Sequence, residues 1–137
     1  MKKRDKIEEA YVSFDVAKLL WKKGFNEECR AYRVAGPLEE IGVFTTDLEI
    51  KNFSKGLKPS VGVFTCPTQQ MAMQWLRKKH KLHIEIRTTK CHDFFYVIYG
   101  LGKKYLCISC EYDKGEYWAE PEEAIEDALK YILTKVI

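Results

Sequence analysis

Residues 82–100, LHIEIRTTKCHDFFYVIYG, contain two consecutive β-strand patterns, and these decide the fold class. The first pattern alternates between apolar and polar side chains, as a half-buried strand does. The second is aromatic or β-branched at nearly every position, which is typical of a strand covered on both faces. A turn at Gly100–Gly102 leads into a third strand within 104–112. Because consecutive strands joined by short turns pair antiparallel, we expect a β-meander over 82–112.

Two amphipathic helices are predicted to flank this meander. One covers 68–79 and is opened by Pro67, and the other covers 121–136 and begins with Pro121. Each carries an apolar stripe at helical spacing, so both are expected to pack on the sheet. Residues 67–137 are therefore predicted to form an α-β-β-β-α unit, and the fold class is α+β.

The N-terminal part, 1–66, is predicted to form a helix-plus-strands unit. Ser13 caps a helix that ends before Gly24. Three β-rich stretches follow, at 28–34, 41–46 and 61–65. The last two share the string GVFT, which favours pairing between them. Polar and turn-forming residues fill 47–60 and indicate a loop. No linker separates the two parts, so we expect 1–137 to form a single domain.

The central strand of the meander carries two apolar rows. One row holds Phe94, Tyr96 and Ile98, and the other holds Phe95, Val97 and Tyr99. The flanking helices can cover only one of them. The second row needs the N-terminal unit, a second copy of the chain or a ligand, because monomers rarely expose such a patch. We expect the N-terminal unit to cover it, so deletion of 1–60 should give an aggregating fragment.

The composition restricts the class of protein. The chain has 137 residues, of which 46% are hydrophobic and 31% charged, enough for a core without disulfides or metals. No apolar run approaches the ~20 residues that span a bilayer, and no secretory signal is present, so we expect no membrane association. The five cysteines are an odd number without a disulfide spacing, which favours a cytoplasmic location.

The sequence predicts no catalytic residue, no metal ligand and no cofactor. Cys107 and Cys110 match the CxxC motif, but residues three apart on a strand point to opposite faces, and no second ligand pair completes a zinc site. No serine or cysteine has a recognisable catalytic context, and no glycine pattern marks a phosphate or dinucleotide site. We therefore expect a non-enzymatic protein.

Basic residues are the remaining candidates for a functional site. The chain through Cys110 carries a net charge of +8, and the remainder carries −5. The candidate contacts to nucleic acid are Lys22, Lys23, Arg77, Lys78, Lys79, Lys81, Lys103 and Lys104. The same cations, with His80, also suit the C-terminal end of a helix, where positive charge complements exposed carbonyl groups. Both interpretations stay open.

Three segments resemble small proteins of gut anaerobic bacteria and their mobile elements or phages, a set with no assigned activity. They are SFDVAKLLWKKGF (13–25), PTQQMAMQWLRKKHKLHIEI (67–86) and EEAIEDALKYIL (122–133). The resemblance implies an accessory protein of a mobile element and identifies no catalytic or binding residue.

The α-β-β-β-α order also resembles double-stranded-RNA-binding domains. That family contacts RNA through lysines at the start of its last helix, where this chain has Glu120-Pro-Glu-Glu123. No contact residue can therefore be transferred. The leading hypothesis is a non-enzymatic accessory or protein-interaction protein of unidentified partner, with a homodimer as one version. The alternative is a nucleic-acid-associated protein that uses the basic surface around Arg77–Lys81.

Overall fold

The computed structural model describes residues 9–35, 41–43, 62–102, 107–109 and 116–137. These residues form three helices and six strands. In chain order the elements are α1 (Phe14–Lys22), β1 (Ala31–Val34), β2 (Ile41–Val43), β3 (Val63–Cys66), α2 (Gln69–Trp75), β4 (Leu82–Thr88), β5 (Phe94–Gly100), β6 (Cys107–Ser109) and α3 (Pro121–Tyr131). Helix α2 continues as a wide π-helical turn over Leu76–His80, and α3 continues likewise over Ile132–Val136. The fold is α+β, as the sequence predicts.

The predicted meander forms one of two antiparallel sheets. Its strand order is β4-β5-β6. Ile98 on the central strand lies opposite Ile84 on one side and Ile108 on the other, so the apolar residues share a face. The described part of the third strand is shorter than predicted, because 103–106 and 110–115 lie outside the described residues.

The other sheet has the order β2-β1-β3, which corrects one expectation. The two GVFT stretches do not pair with each other, because β1 lies between them. Tyr32 of β1 lies opposite Gly42 on one neighbour and Thr65 on the other. The ring of Tyr32 occupies the space that a side chain at position 42 would need. A shared string indicates a shared preference for strand structure, but it does not determine which strands pair. The predicted loop at 47–60 lies outside the described residues.

Side-chain caps begin the first two helices. The Ser13 hydroxyl accepts a hydrogen bond from the backbone N–H of Val16 at 3.2 Å. The Thr68 hydroxyl accepts one from the N–H of Met71 at 3.1 Å. Gly24 follows α1 with a φ of +93°, a conformation that favours glycine. These caps confirm the helix boundaries that the sequence predicts near 13, 24 and 68.

The helices lie between the two sheets. We call β2-β1-β3 the first sheet and β4-β5-β6 the second sheet. Helix α3 packs on β4 and β5 of the second sheet, and α1 packs on α3 and on β3 of the first sheet. The phenol of Tyr96 donates a hydrogen bond to Asp127 of α3 at 3.0 Å, while its ring stacks on Trp118. The core is continuous through these layers, and Leu20, Ile98 and Leu129 are fully buried within it.

Among the described residues, α1 and β3 do not lie over the second aromatic row, where they were expected. Tyr96 and Ile98 face the helices, and α1 and β3 pack on that same side. Phe95 and Val97 point away from the helices, yet they are only 7% and 4% exposed. Among the described residues, the ring of Tyr117 lies edge-on to Phe95 at 6.2 Å. The expectation was wrong for α1 and β3, because the apolar face of α1 packs on α3 rather than on the far side of the sheet.

Glu126 of α3 accepts hydrogen bonds from the starting ends of α1 and α2. One of its carboxylate oxygens accepts a hydrogen bond from the backbone N–H of Ser13 at 2.8 Å, and the other accepts one from the Gln69 side chain at 3.2 Å. The Gln69 amide also donates to the carbonyl oxygen of Glu122 at 2.9 Å. The N-terminal ends of α1 and α2 therefore meet near the start of α3. All three helices run in the same direction.

Candidate functional site

The C-terminal ends of the three helices meet at the opposite end of the molecule. The Lys23 ammonium, just after α1, donates a hydrogen bond to a main-chain oxygen of Ile137 at 2.6 Å. His80 and Lys81, which follow α2, line one cavity together with the last turn of α3. We call this region the basic end, defined by Lys22, Lys23, His80, Lys81 and Lys135.

Helix electrostatics explain why cations collect there. The last carbonyl groups of a helix have no partner within it, so each C-terminal end carries a partial negative charge. Three such ends lie together, and lysines follow or occupy the last turn of each helix. Each interaction of this kind contributes about 0.3–1 kcal/mol. The basic end therefore stabilises the fold and still presents ammonium groups to solvent.

A cavity of about 550 Å³ opens at the basic end. Its floor is apolar. Leu82 and Ile108 of the second sheet and Tyr131 and Val136 at the end of α3 form this floor. Its cationic lining residues are Lys81 and Lys135, both exposed. An apolar concave surface with a few polar groups at its edge is the usual form of a small-molecule or side-chain binding site.

Lys81 holds an unusual backbone conformation at this cavity. Its φ of 55° and ψ of 43° are left-handed, and its N–H donates to the carbonyl oxygen of Leu76. Its own carbonyl accepts a hydrogen bond from Leu101 at 2.6 Å, which ties the helix end to the end of β5. This conformation costs an L-residue about 1–2 kcal/mol, and glycine is the usual residue at such a position.

His80 adds no positive charge to the basic end near neutral pH. Partial burial lowers the pKa of its imidazole from the ordinary value of 6.5, and the nearby Lys23 ammonium lowers it further. The ring lies 4.8 Å from the indole of Trp75, measured between centroids. The imidazole is therefore mainly neutral at pH 7, and lysines supply the charge.

The structure divides the predicted nucleic-acid contacts into groups. Lys23 and Lys81 lie at the basic end, with Lys22 exposed beside them. Lys78 and Lys79 line a separate, smaller hollow of about 290 Å³ that also includes Glu27. Lys103 and Lys104 lie outside the described residues. Arg77 is half-buried in the turn after α2. The described lysines of the set therefore line two hollows, with Lys81 in one and Lys78 and Lys79 in the other.

Sequence reasoning did not identify Lys135 or the apolar floor as part of a site. Lys135 lies in the predicted last helix, where a single lysine gives no signal of its own. Ile108 and Tyr131 have the pattern of ordinary core residues. Only the parallel arrangement of the helices brings them to Lys81.

The outer face of the second sheet holds a small polar network. The Arg87 guanidinium pairs with Glu85 at 3.0 Å and donates to the Tyr99 phenol at 2.6 Å. Hydrogen bonding from Arg87 holds the pKa of the Glu85 carboxyl below its usual value. These side chains satisfy one another on a solvent-exposed face, where such pairs contribute little.

The described thiols show no arrangement for redox or metal chemistry. Burial raises the pKa of Cys29 to about 12 and that of Cys66 to about 11, so both are protonated and unreactive at neutral pH. Cys107 is exposed on β6, while Cys110 lies outside the described residues. Within the described part of the chain, no three metal-ligating side chains come together.

Comparisons of the chain with protein-family models, with curated proteins and with solved structures find no match. Among the described residues, no helix has the length and apolar character needed to cross a bilayer.

Proposed function

We propose that the protein is a non-enzymatic accessory protein that acts by binding, and that its basic end receives an acidic segment of a partner protein. One observation carries the proposal: Lys23, Lys81 and Lys135 reach the basic end from three different helices. Contacts between those helices fix the spacing of the backbone positions that carry these cations. A set of charges with fixed spacing can discriminate among acidic partners, whereas a run of lysines on one exposed turn cannot.

The chemistry of the cavity supports binding rather than catalysis. Its cations stand around an apolar floor that would accept an aliphatic or aromatic side chain beside an acidic one. Among the described residues that line it, no side chain carries a carboxylate, a thiol or an aliphatic hydroxyl. The resemblance of three segments to mobile-element proteins is in keeping with an accessory role.

Nucleic-acid binding is the second candidate. Lys78 and Lys79 are exposed on the turn after α2 and extend the positive charge beyond the basic end. One feature favours the protein partner instead. Glu27 lies with these lysines in the smaller hollow and would repel a phosphate there.

Fluorescence anisotropy can separate the two candidates. The full-length protein would be titrated into a labelled oligoglutamate peptide and, separately, into a labelled DNA duplex. We expect binding of the peptide to be the tighter at each salt concentration from about 50 to about 200 mM. Tighter binding of the duplex, with a steep salt dependence, would support the nucleic-acid candidate.

Two paired charge reversals then locate the surface. Lys81→Glu with Lys135→Glu changes the basic end, and Lys78→Glu with Lys79→Glu is the matched control on the neighbouring surface. We expect the first pair to abolish peptide binding and the second to change it by less than about threefold, since rim charges act mainly through the long-range field. Equal losses from both pairs would contradict a defined site at the basic end.

A further inference from the structure

We propose that the cavity at the basic end binds a small amphipathic carboxylate, a molecule in which one carboxylate is joined to an aliphatic chain. This inference rests on the proposed function in one respect, namely that the basic end is a binding surface. It goes further by assigning a small-molecule ligand to the cavity. The acidic partner would approach this same site.

The shape and lining of the cavity select the apolar part of the ligand. The volume of about 550 Å³ lies within the range of about 300–1,000 Å³ that is usual for small-molecule sites. Leu82, Ile108 and Val136 supply aliphatic surface, and Tyr131 supplies one ring. An aliphatic chain laid on this floor would leave water and gain the stabilisation that apolar burial provides.

The charges at the edge select a single carboxylate. Lys81 and Lys135 supply two ammonium groups, and no acidic side chain stands among the described lining residues to oppose an anion. Ammonium groups form strong, charge-assisted hydrogen bonds with a carboxylate.

The backbone at Lys81 points to the same conclusion. Glycine would remove the strain of the left-handed conformation, yet this position carries a lysine whose side chain lines the cavity. Backbone strain at a non-glycine residue is characteristic of functional sites, where the side chain is required in spite of its cost. The structure therefore keeps a cation at the cavity at the expense of stability.

Calorimetric titration of the full-length protein with decanoate tests the proposal. 1-Decanol has the same chain without the charge, and acetate has the charge without the chain. We expect decanoate to bind at least about tenfold more tightly than decanol, since a hydrogen bond to a charged group contributes that much. We expect no detectable binding of acetate. Equal binding of decanol, or displacement of decanoate by an equal concentration of acetate, would overturn the proposal.

The variant Lys81→Gly distinguishes an effect on ligand binding from an effect on stability. Glycine relieves the strained backbone, so the melting temperature should rise while the affinity for decanoate falls about tenfold or more. Lys79→Met is the control, because Lys79 is two residues away and lines the other hollow. Unchanged affinity in the stably folded Lys81→Gly protein would refute the role of this cation.

A second pair of variants tests the cavity itself. Val136→Trp should fill the cavity and abolish decanoate binding, whereas Thr134→Trp, at an exposed position on the same turn, should leave it unchanged. Undiminished binding to Val136→Trp would exclude the cavity as the site. Oligoglutamate provides the separate readout: peptide binding without decanoate binding would refute this inference alone, and decanoate binding without peptide binding would refute only the proposed function.

Discussion

His80 illustrates how a neighbouring residue sets the protonation of a side chain at the basic end. Its imidazole is close to both the Trp75 ring and the Lys23 ammonium, and its pKa is lowered by desolvation first and by Lys23 second. The folded state therefore binds a proton less readily than the unfolded chain. The stability contributed by neutral His80 is fully present above the unfolded value of 6.5 and is lost as the pH falls below it towards the folded pKa.

Replacing Lys23 should raise the pKa of His80. In Lys23→Met the nearby positive charge is gone, while desolvation by the surrounding residues persists, so the pKa should move up but stay below 6.5. NMR titration of the imidazole measures this directly. Lys22→Met, at the adjacent exposed position, should produce a smaller shift. An unchanged His80 pKa in Lys23→Met would show that the two groups do not interact.

Glu126 is the residue on which the arrangement of the three helices depends most directly. Its two carboxylate oxygens accept from the Ser13 backbone and from the Gln69 side chain. In Glu126→Gln, one of these donors would face the amide NH₂ group and lose its acceptor. We expect the free energy of unfolding to fall by about 1–3 kcal/mol, the cost of a part-buried donor left unsatisfied.

Urea denaturation of Glu126→Gln measures this effect. The control is Glu123→Gln, which makes the same chemical change at an exposed position one turn earlier on α3. It should change the free energy of unfolding by less than about 0.5 kcal/mol, as surface substitutions usually do. Equal effects from both substitutions would mean that the hydrogen bonds of Glu126 add no stability.

At the scale of the elements, the three helices lie side by side in the same direction, and charged side chains at their ends complement their dipoles. Parallel dipoles at close range repel one another, and the sequence offsets this repulsion at both ends. Asp15 and Glu122 lie in first turns, while Lys22 and Lys135 lie in last turns. The two ends of the helix layer therefore differ in charge, with carboxylates at the helix starts and lysines at the helix ends.

The side-chain cap of α1 is expected to contribute to stability, which is a separate prediction at this scale. Ser13→Ala removes the acceptor for the Val16 N–H, and we expect a loss of about 1 kcal/mol in the free energy of unfolding. Ser13→Asn should retain most of the stability, because asparagine caps helices as well as serine does. Thermal denaturation followed by circular dichroism would measure both variants. A fully stable Ser13→Ala protein would show that Glu126 alone secures this end of α1.

At the scale of the whole molecule, the two sheets depend on the helix layer between them. The buried side chains of α1, including Val16 and Leu20, pack within the same core as α3 and the second sheet. Each contributes about 1.5–3 kcal/mol by leaving water. The α-β-β-β-α unit therefore completes its core only with the N-terminal unit, and the described contacts between them lie at the helices.

A fragment of residues 62–137 should consequently lack a cooperative melting transition. Removing α1 uncovers the apolar side of α3 and removes one of the two partners of Glu126, and the exposed patch should promote association. Differential scanning calorimetry and analytical ultracentrifugation would detect these two effects. A monomeric fragment that melts cooperatively would contradict this account of the core.

What the sequence determined by itself is the local structure. The boundaries of α1, the start of α2 and the positions of β4 and β5 follow from caps and from hydrophobic periodicity, which act over a few residues. The cations at helix ends could be recognised for the same reason. Candidate residues such as Lys23 and Lys81 were therefore identified without the structure.

Only the tertiary structure decided which elements meet. The insertion of β1 between the two GVFT strands, the common direction of the helices and the side on which α1 packs all involve segments far apart in the chain. A periodic pattern shows that a face will be buried, but many partners could bury it, and the choice depends on packing of the complete core. The cavity exists for this reason: Lys81 and Lys135, 54 positions apart in the sequence, adjoin one apolar floor because all three helices end at the same place.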